Sequence, residues 1–128
     1  MSIPKNMTLQ ELLQWRFTES ADEIAHKFKD RETSYKELHI ASNKIANGLI
    51  KLDCEPDSRI AYLGKNSDYF FEFLAGTIKS GTVAVGVNWR LAPPEVKYVL
   101  DDSSSEIIFV GKEFYPIVEQ IIDELPDI

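Results

Sequence analysis

From Ser34 onward the chain alternates two hydrophobic rhythms, and each rhythm permits only one kind of backbone. Apolar residues spaced three and four apart mark helices, whereas short unbroken apolar runs mark buried strands. Leu38, Ala41, Ile45, Leu49 and Leu52 set the first helical stripe. Residues 59–64, 83–87 and 106–110 are the apolar runs. Phe70, Phe71, Phe73, Leu74, Thr77 and Ile78 fill a helix between the first two runs, and Val96, Val99 and Leu100 a helix before the third. A last helix is predicted from near Pro116, burying Ile117, Val118, Ile121, Ile122 and Leu125. Strands separated by helix-length crossovers pair in parallel, with right-handed connections. The predicted fold class is therefore α/β: an open, mostly parallel sheet with helices on both faces.

Punctuation residues support the same parse. Thr8 with Glu11, and Ser34 with Glu37, have the spacing of capping boxes, in which a hydroxyl and a carboxylate reciprocally satisfy two orphan helix N–H groups. The first opens a short helix with Leu9, Leu12, Leu13 and Phe17 on one face. Residues 24–29 and 32–34 flank Asp30-Arg31 and give a weak hairpin signal, because neither turn residue is glycine. Residues 54–58 contain Pro56 and read as a loop, Asn66 or Ser67 is placed to cap the next helix, Gly81 supplies a left-handed C-terminal cap, and Pro93-Pro94 suit a first helical turn. The strongest candidate seam is near Ser34, but the chain reads as one domain.

Composition narrows the function classes. A length of 128 residues with 44% hydrophobic content can bury a real core. A net charge of -7 argues against a nucleic-acid surface, which needs clustered Lys and Arg. The single cysteine, Cys54, forms no internal disulfide or thiolate metal site and reads as a small loop filler. There is no leader pattern and no apolar run near the ~20 residues of a membrane span, so the cytoplasm is the expected location.

Searches for chemistry return mostly negatives. The strand at 59–63 is followed by Gly64-Lys65-Asn66-Ser67, with one glycine where a dinucleotide fold wants three. No P-loop occurs: residues 80–86 (Ser-Gly-Thr-Val-Ala-Val-Gly) read as a helix cap and a strand. No Gly-x-Ser-x-Gly elbow is present. His26 and His39 lack partners at ligand spacing, and His39 reads as a solvated or partly packed imidazole. Asp101-Asp102 lie near a helix end rather than at a strand's carboxyl end, and read as solvated acids. No catalytic and no metal-binding residue emerges.

Several blocks, read in order, resemble the adenylate-forming superfamily of acyl-CoA synthetases, luciferases and peptide-synthetase adenylation domains. Thr33-Ser34-Tyr35-Lys36-Glu37-Leu38 is similar to its Leu-Thr-Tyr-x-Glu-Leu block. Arg59-Ile60-Ala61-Tyr62-Leu63 with Asn66-Ser67 resembles its Arg-Val-Ala-x-Leu…Asn-Ser segment, and residues 74–81 its Leu-x-Lys-Ala-Gly block. Asn88-Trp89-Arg90-Leu91-Ala92-Pro93, followed by residues 98–103, looks like the fatty-acyl and related CoA-ligase branch. Gly86 stands where many members carry proline, which predicts a looser loop there.

The resemblance implies the N-terminal subdomain of the large domain of an acyl-CoA synthetase, with the phosphate-loop region and the C-terminal domain absent. The implied reaction joins a carboxylate, ATP and CoA into acyl-CoA, AMP and pyrophosphate. ATP, Mg²⁺ and CoA belong to the full-length enzyme, and this piece alone is expected to be inactive and to bind none of them by itself. Trp89 and Arg90 are the candidate CoA contacts, since their loop leaves a strand's carboxyl end, where open α/β sheets hold ligands. Arg90 would pair with a phosphate and Trp89 would stack on a base. The plainer reading packs Trp89 under the next helix and leaves Arg90 exposed. Implied partners are the rest of the same enzyme and a small carboxylic acid; an uncovered sheet edge would promote self-association. The competing class is a complete small α/β binding module without activity.

Overall fold

The computed structural model describes residues 5–128. They pack as two compact units: residues up to Asp53 with Ser67–Ser80, and Cys54–Asn66 with Gly81–Ile128. Ser34 is not a boundary, because the hairpin before it and the helix after it lie in the same unit.

The first unit contains α1 (Leu9–Glu19), β1 (Ile24–Phe28), β2 (Arg31–Ser34), α2 (Tyr35–Lys51) and α3 (Asp68–Ser80). Both capping boxes form. Thr8 Oγ1 accepts from the Glu11 amide at 3.2 Å while the Glu11 carboxylate accepts from the Thr8 amide at 2.8 Å. Ser34 and Glu37 repeat the pair at 3.2 and 2.8 Å. β1 and β2 are antiparallel, with Phe28 opposite Arg31. The turn is therefore Lys29-Asp30, one residue earlier than predicted, and Lys29 takes the left-handed conformation (φ 53°) that glycine usually supplies.

Phe17, Leu38 and Ala75 form this unit's apolar cluster, with Leu13, Ala25 and Tyr35 against it. Leu9 and Leu52, predicted on apolar faces, are 64% and 65% exposed. Leu9 is the first residue of α1, and Leu52 is the C-cap of α2, already off the helical spiral (φ -89°, ψ 14°). α2 and α3 meet through a glycine: a Cβ on Gly76 would stand 2.5 Å from Ile45 Cγ2.

The second unit holds β3 (Arg59–Leu63), β4 (Val83–Val87), α4 (Pro93–Asp102), β5 (Ser105–Val110) and α5 (Tyr115–Glu119). The strand order is β4-β3-β5, and both pairings are parallel. The fold is α/β as predicted. Only the central β3 is thoroughly buried, with Ile60, Ala61 and Leu63 at 0% exposure. β4, predicted to be a buried strand, is an edge with one strand partner among the described residues, and Val83 is 40% exposed. Ala61, Leu63, Val85, Val87, Ile108 and Val110 alternate along the three strands and pack with Val96 and Leu100 of α4 and with Phe114, Ile121 and Leu125.

Gly81 ends α3 at φ 75°, as its cap role requires. Gly86 lies inside β4 opposite Tyr62, not in a loosened loop. The predicted last helix is broken: 3₁₀ turns at Lys112–Phe114 and Ile122–Glu124 bracket a short α5. The tighter spiral buries Ile121 and Leu125 and turns Ile122 out to 38% exposure.

Candidate functional site

In a parallel sheet all strands deliver their carboxyl ends to the same side, so the loops leaving those ends cluster together. After β3 comes Gly64-Lys65; after β4, Asn88-Trp89-Arg90; after β5, Gly111-Lys112-Glu113. The Gly111 amide donates to the Leu63 carbonyl at 2.8 Å, extending the β3–β5 ladder one step beyond the strands. A Cβ on Gly111 would lie 3.2 Å from the Phe114 ring and 3.6 Å from Gly64 Cα, so glycine permits this close approach.

Trp89 is the centre of the cluster. Asn88 Oδ1 accepts from the Arg90 amide at 3.0 Å, a side-chain turn that fixes the loop. The Asn88 carbonyl accepts from the Leu91 amide at 3.2 Å, and the Glu95 carboxylate accepts from the Ala92 amide at 2.8 Å where α4 begins. The half-buried indole packs against the second unit's core, 6.0 Å from the Phe114 ring. The Arg90 guanidinium lies 4.0 Å from the indole centroid and Lys65 Nζ lies 5.1 Å from it. Lys65 also pairs with Glu113 at 3.2 Å. Arg90 is exposed and makes no ion pair among the described residues.

The structure thus brings Trp89 and Arg90 into direct contact and adds Lys65, which sequence reasoning does not select. Its signal is present all the same: Lys65 leaves β3 as Trp89 and Arg90 leave β4, and the strand-end argument applies to both. An aromatic ring carrying a guanidinium, with an ammonium nearby, suits a flat ring bearing phosphates. Among these residues no nucleophile is paired with a base. The remaining sequence candidates lie elsewhere. Asp101 pairs with Lys97 one turn away on α4, and Cys54 sits in the loop before β3. Among the described residues no group of three His, Cys, Asp or Glu side chains is placed to hold a metal, and no helix is long and apolar enough to cross a membrane.

Comparison with known proteins identifies the family. The AMP-binding enzyme family model matches residues 13–127. A fatty acid–[acyl-carrier-protein] ligase, ScoC, from Streptomyces coeruleorubidus is 47% identical over 71% of this chain. A 4-hydroxybenzoate–CoA/benzoate–CoA ligase from Rhodopseudomonas palustris is 35% identical over 80% of it. The chain spans 18% and 19% of the lengths of those two relatives. Among solved structures, the anthranilate CoA ligase AuaEII in complex with anthranoyl-AMP superposes with a TM-score of 0.90 at 27% identity, covering 100% of this chain and 25% of that one. The Mycobacterium tuberculosis fatty acyl CoA synthetase superposes with a TM-score of 0.87 at 31% identity, covering 93% and 25%. These matches do not favour a self-contained binding module. With its blocks in register over nearly the whole chain, this sequence belongs to the AMP-binding enzyme family, as a segment about a fifth to a quarter the length of the relatives it matches.

Proposed function

We propose that this chain is the N-terminal subdomain of an ATP-dependent acyl-CoA ligase, and that its own contribution is to hold the nucleotide end of CoA. The Arg90 guanidinium resting on Trp89 at a strand's carboxyl end carries this reading. In it, Arg90 neutralises a CoA phosphate and the indole presents a face to the adenine. The substrate is a small carboxylic acid, fatty or aromatic. ATP and Mg²⁺ are held by parts of the enzyme beyond this chain, and the chain alone does not adenylate. Its place is the cytoplasm. β4 and β5 each have one strand partner among the described residues; in the enzyme the remaining chain covers such an edge, and in isolation a second copy does so.

The test uses the enzyme that contains this segment. Arg90→Gln should raise the KM for CoA at least about fivefold, the loss of one charge-assisted phosphate contact. It should leave acyl-dependent exchange of pyrophosphate into ATP unchanged, because CoA enters only after adenylation. An unchanged KM for CoA would remove Arg90 from the site. Exchange activity in the 128-residue chain alone would overturn the claim that it is catalytically incomplete.

One observation favours a second thiol acceptor. The 47%-identical relative is by its name a fatty acid–[acyl-carrier-protein] ligase. Offering CoA and an acyl carrier protein that bears its free prosthetic thiol in parallel distinguishes the acceptors: if the carrier protein wins, Arg90 and Lys65 face an acidic protein surface instead of a nucleotide.

A further inference from the structure

The first unit contains a polar cluster for which thioester chemistry has no use. Lys79 sits half-buried in the last turn of α3. Its Nζ lies 2.7 Å from Asn43 Oδ1, 3.0 Å from the His39 carbonyl and 3.0 Å from His39 Nδ1, all on α2. The Phe17 ring of α1 packs beneath it, 4.7 Å from centroid to Nζ. No carboxylate pairs with Lys79 among the described residues. Lys79 is also among the residues that line a cavity of about 430 Å³ bounded by Gln10 and Gln14 of α1 and by Asn43, Asn47 and Ile50 of α2. The carboxylate on that wall, Glu11, is occupied as the cap of α1, bonded to Thr8 at 2.8 and 2.9 Å.

An ammonium surrounded by neutral acceptors and an aromatic ring loses hydration and gains no countercharge. Burial accordingly brings the Lys79 pKa down to about 8. His39 is also held below its ordinary value, first by burial and then by the Lys79 charge. In the tautomer protonated at Nε2, His39 Nδ1 accepts from the amine.

We propose that Lys79 is a reactive amine and a site of acylation by acyl phosphate anhydrides. On losing a proton the amine keeps two of its three hydrogen bonds and exchanges the third for a lone pair. The lone pair attacks the acyl carbonyl and a C–N bond forms. The carbonyl C–O bond to the phosphoryl group breaks, and phosphate leaves with the bonding electrons. The proton shed by nitrogen passes to His39 Nδ1 and then to water. The product is a neutral amide that can no longer donate three hydrogen bonds to α2.

Acetyl phosphate tests this on the 128-residue chain without any ligase activity, so the outcome is separate from that of the CoA reading. At pH 7.5 roughly a quarter of an amine with pKa near 8 is neutral, against about one in a thousand for an ordinary lysine. Lower basicity weakens the nucleophile, which leaves a net advantage on the order of tenfold. Site-resolved mass spectrometry should find Lys79 acetylated about tenfold faster than the exposed Lys36 and Lys44. Its rate should level off above pH 8. His39→Gln should lower the plateau rate in a chain whose circular dichroism is unchanged; if that variant does not fold, the pH profile of the unmodified chain still decides. Labelling of Lys79 no faster than that of Lys36 and Lys44 at pH 7.5, or a Lys79 rate that keeps climbing to pH 10, overturns the proposal.

Discussion

The two units treat charge in opposite ways. In the first, most inward polar groups are matched, Ser20 Oγ and His26 Nε2 being buried without a hydrogen-bond partner among the described residues. The Arg31 guanidinium donates to both Asp68 oxygens at 2.8 and 2.7 Å, and the Asp68 side chain is only 7% exposed. Ser42, fully buried in α2, donates to the Leu38 carbonyl at 2.6 Å. In the second unit the core cluster is apolar, Ser58, Thr82 and Ser105 being the buried polar residues, and Lys65, Arg90 and Glu113 are left at the solvent edge beyond the strands. Inward matching fixes one geometry, because a buried partner left alone costs more than a pair gains. Outward charge adds little stability but stays available to a ligand. The first unit is organised to hold shape, and the second to hold shape with apolar contacts while offering charge.

Substitutions in the two interiors should break this contrast first. Leu63→Ala removes a fully buried side chain from the central strand. It should cost about 2–5 kcal/mol in urea unfolding, since a three-stranded sheet has little freedom to collapse around the cavity. In the first unit the sensitive point is a contact rather than a cavity. Gly76→Ala places a methyl group 2.5 Å from Ile45 Cγ2 and 2.7 Å from Ile45 Cβ, atoms too near the backbone to swing away. It should cost about 1–3 kcal/mol despite the better helix propensity of alanine. Gly48→Ala is the control on α2: a Cβ there meets nothing within 4 Å, so the change should stabilise by up to about 1 kcal/mol. If Gly76→Ala is as benign as Gly48→Ala, the close α2–α3 contact is not holding the unit.

The apolar architecture of the second unit is more legible in the sequence than the polar organisation of the first. Alternating periodicity locates all three parallel strands, and the spacings Thr8–Glu11 and Ser34–Glu37 locate two helix starts, because these signals are local. Whether β4 is central or an edge depends on strand order, which no periodicity encodes; the exposure of Val83 is therefore invisible in the sequence. The break in the last helix is hidden as well, because i→i+3 and i→i+4 spirals bury overlapping residue sets. At the candidate site, Trp89 and Arg90 are legible from one strand end, but Lys65 joins them only once β3 and β4 are known to be parallel neighbours. The Lys79–His39–Asn43 cluster joins residues 36 and 40 positions apart. Lys79 alone reads as a charge complementing a helix dipole, and nothing local links it to His39.

The smallest predicted effect separates two carboxylates one turn apart on α3. Asp68 is held below the usual carboxylate range chiefly by its hydrogen bonds from Arg31, with burial opposing. Glu72 is raised, first by burial and then by the charge of Asp68. Proton linkage sets the signs. A depressed carboxyl stabilises the fold above its unfolded pKa near 4, and that stability is lost as pH falls through the lower folded value. A raised carboxyl does the reverse: it costs nothing in acid and weakens the fold as pH climbs past its unfolded value. Asp68→Asn should therefore lower the melting temperature at pH 7 by only about 2–4 °C, because Arg31 is half-exposed and solvent screens the pair. That deficit should shrink as pH falls below about 4 and vanish below the depressed folded pKa. Glu72→Gln should raise the melting temperature at pH 7 and change nothing in acid. Thermal melts across pH 2.5–7 check both. If both variants shift with pH in the same direction, the inward matching of charge around Asp68 is not what orders this end of α3.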